Sequence, residues 1–295
     1  MQQCYVSVLC DDDFLPGLMA LHQSLKNAGA KFDFVLMVTP EVSGDVRRYL
    51  DACGITTREI EPVESPYAGW VTPELGRMFT KMRAFALTEY RKVVYMDLDM
   101  LVCANLDDVF DRPGWSAVNA GGMLPEHADW RQFNAGFMVI EPDAALFADL
   151  VRLKDVLPSA DGGDQGFLHN YFPDWSKLPH LHLDHSNNLY AGHLNRYHEL
   201  FGYHLPVAGK PADARTVRVV HFWGPFKPWD FGRVDYQPGL HNDAFRLWWE
   251  NFEQALGNYP EACKDAYLYQ RVLGVTRCRG KVLADQISEQ YELTA

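Results

Sequence analysis

Lys92-Val93-Val94-Tyr95-Met96-Asp97-Leu98-Asp99-Met100 is an apolar, β-prone run that ends abruptly in two carboxylates one residue apart. A strand alternates its side chains, so Asp97 and Asp99 point to one side while Leu98 turns into the core. Their oxygens can then close on one hard cation. The C-terminal ends of strands are also where open α/β sheets place their ligands. The stretch reads as a metal site for a diphosphate. Taken alone, two acids at a strand end equally describe a solvated turn, so the rest of the chain has to decide.

Upstream, Tyr5 to Leu9 is a short strand, and Cys10-Asp11-Asp12-Asp13 leads into a helical stretch beginning at Phe14. Phe32 to Val38 alternates as a second strand, Asp45 to Ala52 fits a helix, and Thr56 to Glu61 makes a third strand. Repeated β-α units imply an α/β fold whose mostly parallel sheet is covered on both faces. Neither a Gly-x-Gly-x-x-Gly fingerprint nor a P-loop occurs. Residues 62–76, rich in Pro, Gly and aromatics, read as a loop, and Thr80 to Tyr90 as a helix feeding the Asp97 strand.

Downstream, Trp115 to Val118 is a short strand and Gly121 to Arg131 a long polar excursion of the kind that often carries function. Phe133 to Ile140 is a strand whose entry holds Asn134 and Gly136, so backbone or ligand can approach closely there. A helix from Asp143 to Val156 follows. In Asp161-Gly162-Gly163-Asp164-Gln165-Gly166, Asp164 falls at a helix start, where an N-cap worth about 1 kcal/mol would explain it. Asp161 and Gln165 are more polar groups than a cap requires. His180, His182 and Asp184 alternate on what reads as one strand face, a second and weaker candidate for a metal. Val217 to His221 is a strand that stops at a polar residue and gives way to a Gly/Pro loop holding Lys227. From His241 onward, Phe245, Trp248, Trp249 and Phe252 recur at helical spacing and read as core.

Composition narrows the function. The 295 residues carry 27 basic against 39 acidic side chains, a net charge of −12, which argues against nonspecific binding to nucleic acid or anionic membrane. A phosphate-bearing substrate would need a local cation. The amino terminus lacks a signal-peptide pattern and no apolar run approaches the ~20 residues of a membrane span, so a soluble, cytoplasmic protein is expected. The six cysteines include no Cys-x-x-Cys pair and read as buried thiols of a reducing compartment.

Four blocks then occur in order: Met96-Asp97-Leu98-Asp99, Phe133-Asn134-Ala135-Gly136, Asp161 to Gly166, and His221-Phe222-Trp223-Gly224-Pro225-Phe226-Lys227-Pro228-Trp229. In these the chain resembles glycosyltransferase family 8, the glycogenin-like enzymes, from about Tyr5 to Trp229. The resemblance implies a single GT-A (Rossmann-like) domain with a mostly parallel mixed sheet. Residues 1–235 would form the nucleotide-sugar-binding and catalytic domain, and 236–295 a helical segment packed on it. It also implies a UDP-sugar donor, a Mn²⁺ cofactor with Mg²⁺ as the alternative, and retention of anomeric configuration.

Residue by residue, Asp97, Asp99 and His221 match the family's metal ligands. Lys227, Gly224 and the Leu98 backbone match groups around the diphosphate, Lys81 a basic residue near the donor, and Phe14 with Asp11 the nucleoside end. Asn134, Asp161, Asp164 and Gln165 match positions lining the transferred sugar. Thr72 stands where the family has a basic residue, and Asn119 or Ala120 where it has an acid, so UDP-glucose and UDP-galactose both remain open as donors. The expected reaction moves a hexose to a separate carbohydrate, polyol or protein hydroxyl. Self-glucosylation, or binding of a nucleotide sugar without catalysis, is the alternative, and a homodimer is compatible with either.

Overall fold

The structure is a computed structural model that describes residues 2–67, 76–224, 227–230 and 239–276. Thr72, Pro225, Phe226, Cys278 and most of the 62–76 loop lie outside the described residues.

The strand read first runs Tyr90–Met96 (β4) and lies inside a six-stranded sheet. Its neighbours are Gln2–Leu9 (β1) on one side and Phe133–Ile140 (β7) on the other. Asp33–Val38 (β2) and Thr56–Glu59 (β3) extend the sheet beyond β1, and Ala117–Asn119 (β6) closes the far edge, giving the order β3-β2-β1-β4-β7-β6. The pairs from β3 to β4 are parallel, whereas β7 is antiparallel to both β4 and β6.

Alternation along the strands builds two cores. Tyr5, Leu9, Leu36, Val38, Val94 and Met96 enter one cluster, while Cys4, Val6, Val35, Met37, Val93 and Tyr95 enter the other. Residues of period two therefore feed opposite faces, which is why these strands read as continuous apolar runs. Leu15–Asn27 (α1) covers the first face through Leu18, Leu21 and Leu25, and Leu240–Gly257 packs outside it with Trp248, Trp249 and Phe252 fully buried. Asn27 also donates to Asn251 and Gln254 across that contact. Gly44–Ala52 (α2) is capped by the Ser43 hydroxyl, which accepts from the Val46 amide at 3.3 Å. Ala144–Leu153 (α3) and Asp164–Tyr171 (α4) sit on the second face.

Three local expectations are corrected. Residues 78–86 wind as a 3₁₀ helix rather than an α-helix. Phe79, Met82 and Phe85, all buried, recur every three residues, and a three-residue turn is what stacks such positions on one side. His180, His182 and Asp184 share no strand face: Pro179–Leu181 is a 3₁₀ turn, His182 stacks on Trp175 with ring centroids 4.3 Å apart, and Asp184 accepts from the Ser186 amide. Trp115 is not in a strand but bends the chain at φ 65°, so β6 begins only at Ala117.

A second, three-stranded sheet completes the site. Met100–Val102 (β5) pairs antiparallel with Val219–His221 (β9), and Leu189–Tyr190 (β8) pairs parallel with β9. The register sets His221 opposite both Met100 and Tyr190. This is how a residue more than a hundred positions downstream comes beside Asp99.

Candidate active site

Asp97 and Asp99 leave β4 at the point where the chain passes from the large sheet into the small one. Asp97 donates its amide to the Gly136 carbonyl at 2.9 Å, and the Asp99 carbonyl accepts from the Phe222 amide at 2.9 Å. The backbone between the acids is thus held by β7 and by the residue after His221. Asp97, Asp99 and His221 each offer a ligand atom, and these lie within 4.8 Å of one another. No other such group of His, Cys, Asp or Glu occurs among the described residues.

Two glycines let this corner close. A Cβ on Gly136 would stand 2.6 Å from the His221 ring and 2.8 Å from Asp97 Oδ2, and one on Gly17 would stand 2.5 Å from the Leu98 carbonyl. Any side chain at Gly136 would fill the space where the ligand atoms converge, and any at Gly17 would push α1 off the acid turn.

The electrostatics divide into two halves. On one side, Lys81 Nζ lies 3.1 Å from Asp97 Oδ1 and 3.2 Å from Asp164 Oδ2, with all but Asp97 deeply buried. Burial opposes the Lys81 charge, but the Asp164 and Asp97 carboxylates outweigh it and hold the ammonium well above its ordinary range. Burial pushes the Asp164 carboxyl up to about 6 despite Lys81, with Asp97 adding to the rise. Tyr95 donates to Asp97 Oδ1 at 2.8 Å, and burial together with that carboxylate keeps its phenol protonated. On the other side, Asp99 Oδ2 accepts from Lys227 Nζ at 2.5 Å and Asp99 Oδ1 lies 3.2 Å from His221 Nε2. Burial alone would raise the Asp99 carboxyl, yet Lys227 and His221 hold it far below the usual carboxylate range.

The His221 ring is oriented from behind. Its Nδ1 lies 3.0 Å from Asn188 Oδ1, and Asn188 Nδ2 donates to Asn134 Oδ1 at 2.8 Å. With Nδ1 turned to Asn188, Nε2 is the ring atom that faces Asp99 and the one placed to ligate an ion. Nothing in the local sequence distinguishes Asn188 from Asn187 for this role, so sequence reasoning missed it. In the sequence Tyr95 presents only as a strand residue.

Asp164 is the first residue of α4, with Gly163 at the cap position, so the N-cap reading of Asp164 is corrected. Its Oδ2 is in ion-pair range of Lys81 but accepts no hydrogen bond among the described residues. Gln165 Oε1 accepts from the Ala135 amide at 3.0 Å, which ties α4 to the start of β7.

Other candidates stand apart from this cluster. Asp161 Oδ1 accepts from Ser159, Gly163 and Gly166 and fastens the glycine turn. Asp11 pairs with Arg77 and accepts from the Asp13 amide. Phe14 meets Trp229 edge-on at 5.5 Å, and Gly224 takes φ 112°, a conformation that suits glycine.

The donor set of two carboxylates and an imidazole suits a hard or borderline divalent ion, with no thiolate to select zinc. Two ammonium groups already lie against these carboxylates, so the corner is built to balance positive charge.

No family model matches the chain. It is similar to glycogenin-1 of Homo sapiens, 32% identical over 266 residues that cover 85% of this chain and 71% of that protein. It is also 32% identical over 236 residues to inositol phosphorylceramide glucuronosyltransferase 1 of Arabidopsis thaliana, covering 77% of this chain and 42% of that one. Among solved structures, the bifunctional glycosyltransferase WbbM in its apo form superposes with a TM-score of 0.60 over 93% of this chain and 51% of that chain, at 18% identity, a likeness of fold. No helix among the described residues is long and apolar enough to cross a membrane.

Proposed function

Because this chain belongs to glycosyltransferase family 8 and is a GT-A glycosyltransferase that uses a UDP-sugar, we propose that it moves glucose or galactose to a separate hydroxyl acceptor, with Mn²⁺ or Mg²⁺ and with retention of configuration. The observation that carries this reading is the convergence of Asp97 and Asp99, just past β4, with His221 of β9. Residues 1–235 carry the chemistry on this reading, and Leu240–Gly257 of the segment that follows braces the α1 face behind it.

Asp97, Asp99 and His221 would hold the divalent ion, which when bound supplies charge neutralisation for the departing diphosphate. The chain's own residues do the rest. Lys227 presents a positive charge to the diphosphate at the Asp99 side, and Lys81 keeps Asp97 and Asp164 in one fixed array. Asp164, held by Lys81, orients the sugar or acceptor hydroxyls on this reading, with Asn134 and Gln165 beside it at the start of β7. Alignment of the reacting groups by such a rigid array is worth orders of magnitude in rate.

The test is to incubate the protein with Mn²⁺ and a panel of UDP- and GDP-sugars, UDP-glucuronate included, and to follow release of the nucleotide. Release from UDP-glucose or UDP-galactose that chelator abolishes is the expected result. Preference for UDP-glucuronate would transfer the donor assignment to a uronic acid, and no release from any donor would leave a binding protein.

A further inference from the structure

The Tyr95 hydroxyl stands beside the ligand cluster and takes no part in the chemistry above. Tyr95 is buried in the core on the second face of the sheet, yet its hydroxyl reaches the outgoing chain and donates to Asp97 Oδ1 at 2.8 Å. The strand supplies this contact directly, because residues two apart share a face and Tyr95 precedes Asp97 by two at the end of β4. The backbone of Tyr95 is fixed on both sides, paired with Val6 of β1 and with Met138 of β7. Its ring also lies under Lys81, whose Nζ is 5.5 Å from the centroid. The phenol therefore has little freedom to follow Asp97 if that carboxylate turns.

The two oxygens of Asp97 are consequently unlike. Oδ1 accepts from the Tyr95 hydroxyl and has Lys81 Nζ at 3.1 Å, while Oδ2 has the same ammonium at 3.2 Å and no hydroxyl. Each carboxylate oxygen has about two lone-pair sites. Oδ1 is thus faced by two donors and Oδ2 by one, which leaves Oδ2 with a lone pair for an ion. A Cβ on Gly136 would stand 2.8 Å from Oδ2 and 2.6 Å from the His221 ring, so Oδ2 is the oxygen on the side of the imidazole. Without the Tyr95 hydroxyl only Lys81, which spans both oxygens, holds the group, and a carboxylate turns easily about its last torsion.

We propose that Tyr95 is a positioning residue that makes Asp97 a one-oxygen ligand, and that it thereby selects a small octahedral ion, Mn²⁺ or Mg²⁺, against Ca²⁺. This rests on the reading of Asp97, Asp99 and His221 as the ligands. Ca²⁺ takes about six to eight oxygens in a flexible shell and readily binds a carboxylate through both, whereas Mg²⁺ demands a smaller, stricter octahedron. The His221 imidazole disfavours Ca²⁺ too, but that contribution is common to every variant of Tyr95 and drops out of a comparison.

A buried phenol needs a partner wherever it lies, and the same sheet holds the contrasting case. Tyr5 of β1 is buried, and its hydroxyl donates to Asp107 Oδ1 at 2.9 Å, an oxygen that also accepts from the Lys31 amide. Asp107 stands outside the group that could hold an ion. Tyr5 therefore reports what the loss of a buried phenol-to-carboxylate bond costs when no ligand is involved.

The experiment titrates the full chain, saturated with UDP, with Mn²⁺ followed by electron paramagnetic resonance, and then displaces the Mn²⁺ with Ca²⁺. Tyr95→Phe and Tyr5→Phe each remove one hydroxyl, and thermal unfolding without metal reads what each loses as structure. Tyr95→Phe should lower the preference for Mn²⁺ over Ca²⁺ by about tenfold to a hundredfold, the range for groups that orient metal ligands. It should also change the resonance of the bound Mn²⁺. Tyr5→Phe should lower Tm comparably and keep both the preference and the resonance of the parent. An unchanged preference in Tyr95→Phe, or an equal change in Tyr5→Phe, would overturn the inference while leaving the metal site standing. A parent that binds Ca²⁺ as tightly as Mn²⁺ would overturn it without any variant. A parent that binds no Mn²⁺ would overturn the ligand assignment as well.

Discussion

The two lysines at the acid pair face opposite fates. Lys81 sits on the 3₁₀ helix next to β4 in sequence, is buried, and lies between two carboxylates, Asp97 and Asp164. Lys227 comes from 128 residues away, contacts one carboxylate, Asp99, and shares its ammonium with the Phe222 carbonyl at 3.2 Å. The first is a fixed element of the core. The second is a cation resting on an acid that the proposed chemistry requires for something else. The difference teaches that charge neutralisation here has a permanent half and an exchangeable half, and each half fails differently when cut.

The largest effect is expected at the permanent half. Lys81→Met leaves Asp164 and Asp97 without their counter-ion in a buried setting, and removing one partner of such a pair costs about 3–5 kcal/mol. Urea unfolding should show that loss, and saturating Mn²⁺ should not restore it. A variant as stable as the parent, or one rescued by metal, would remove the distinction between the halves.

Next comes the shared acid. Asp99→Asn keeps the shape and removes the charge that both Lys227 and the proposed metal use. Calorimetry with Mn²⁺ should show UDP affinity falling at least about 100-fold, ~2.7 kcal/mol. An unchanged affinity would move the metal site elsewhere. Asn188→Leu should follow with a loss of about tenfold in apparent Mn²⁺ affinity, because the His221 Nδ1 then has no acceptor to hold the ring and its tautomer. If Mn²⁺ binds Asn188→Leu as it does the parent, Asn188 serves only Asn134 and the packing around it.

These two variants also mark where reading the sequence succeeds. Asp97 and Asp99 were legible because an apolar strand that stops at alternating acids is a local pattern, and the β-α repeats before it announced the sheet. Phe79, Met82 and Phe85 carry the 3₁₀ period in plain view, but Tyr90 extends a helical spacing to a position that the strand in fact claims. Lys81 entered only through family resemblance, since nothing near it says that its ammonium is buried. Asn188 was invisible because its role follows from the β8–β9 register, which sets Tyr190 against His221.

The smallest expected effect is the one that separates the two halves most cleanly. Lys227→Met removes the cation from Asp99 but leaves His221 Nε2 at 3.2 Å and leaves the acid where a divalent ion could replace the lost charge. Without metal the variant should lose about 1–2 kcal/mol of stability, less than Lys81→Met, because the Lys227 ammonium is only partly buried and one carboxylate is affected. With Mn²⁺ that loss should vanish, since a ligand that binds only the folded state stabilises it in proportion to its occupancy. UDP affinity in Mn²⁺ should still be weaker by about tenfold, ~1.4 kcal/mol, because the diphosphate loses a positive partner that the metal does not supply. Thermal unfolding with and without Mn²⁺, paired with calorimetric titration of UDP, reads both quantities. Recovery of stability together with the affinity deficit identifies Lys227 as the exchangeable cation, released from Asp99 to serve the diphosphate. Should Mn²⁺ fail to recover the stability, Lys227 and Lys81 are alike, two structural counter-ions, and the asymmetry between them is only one of chain distance.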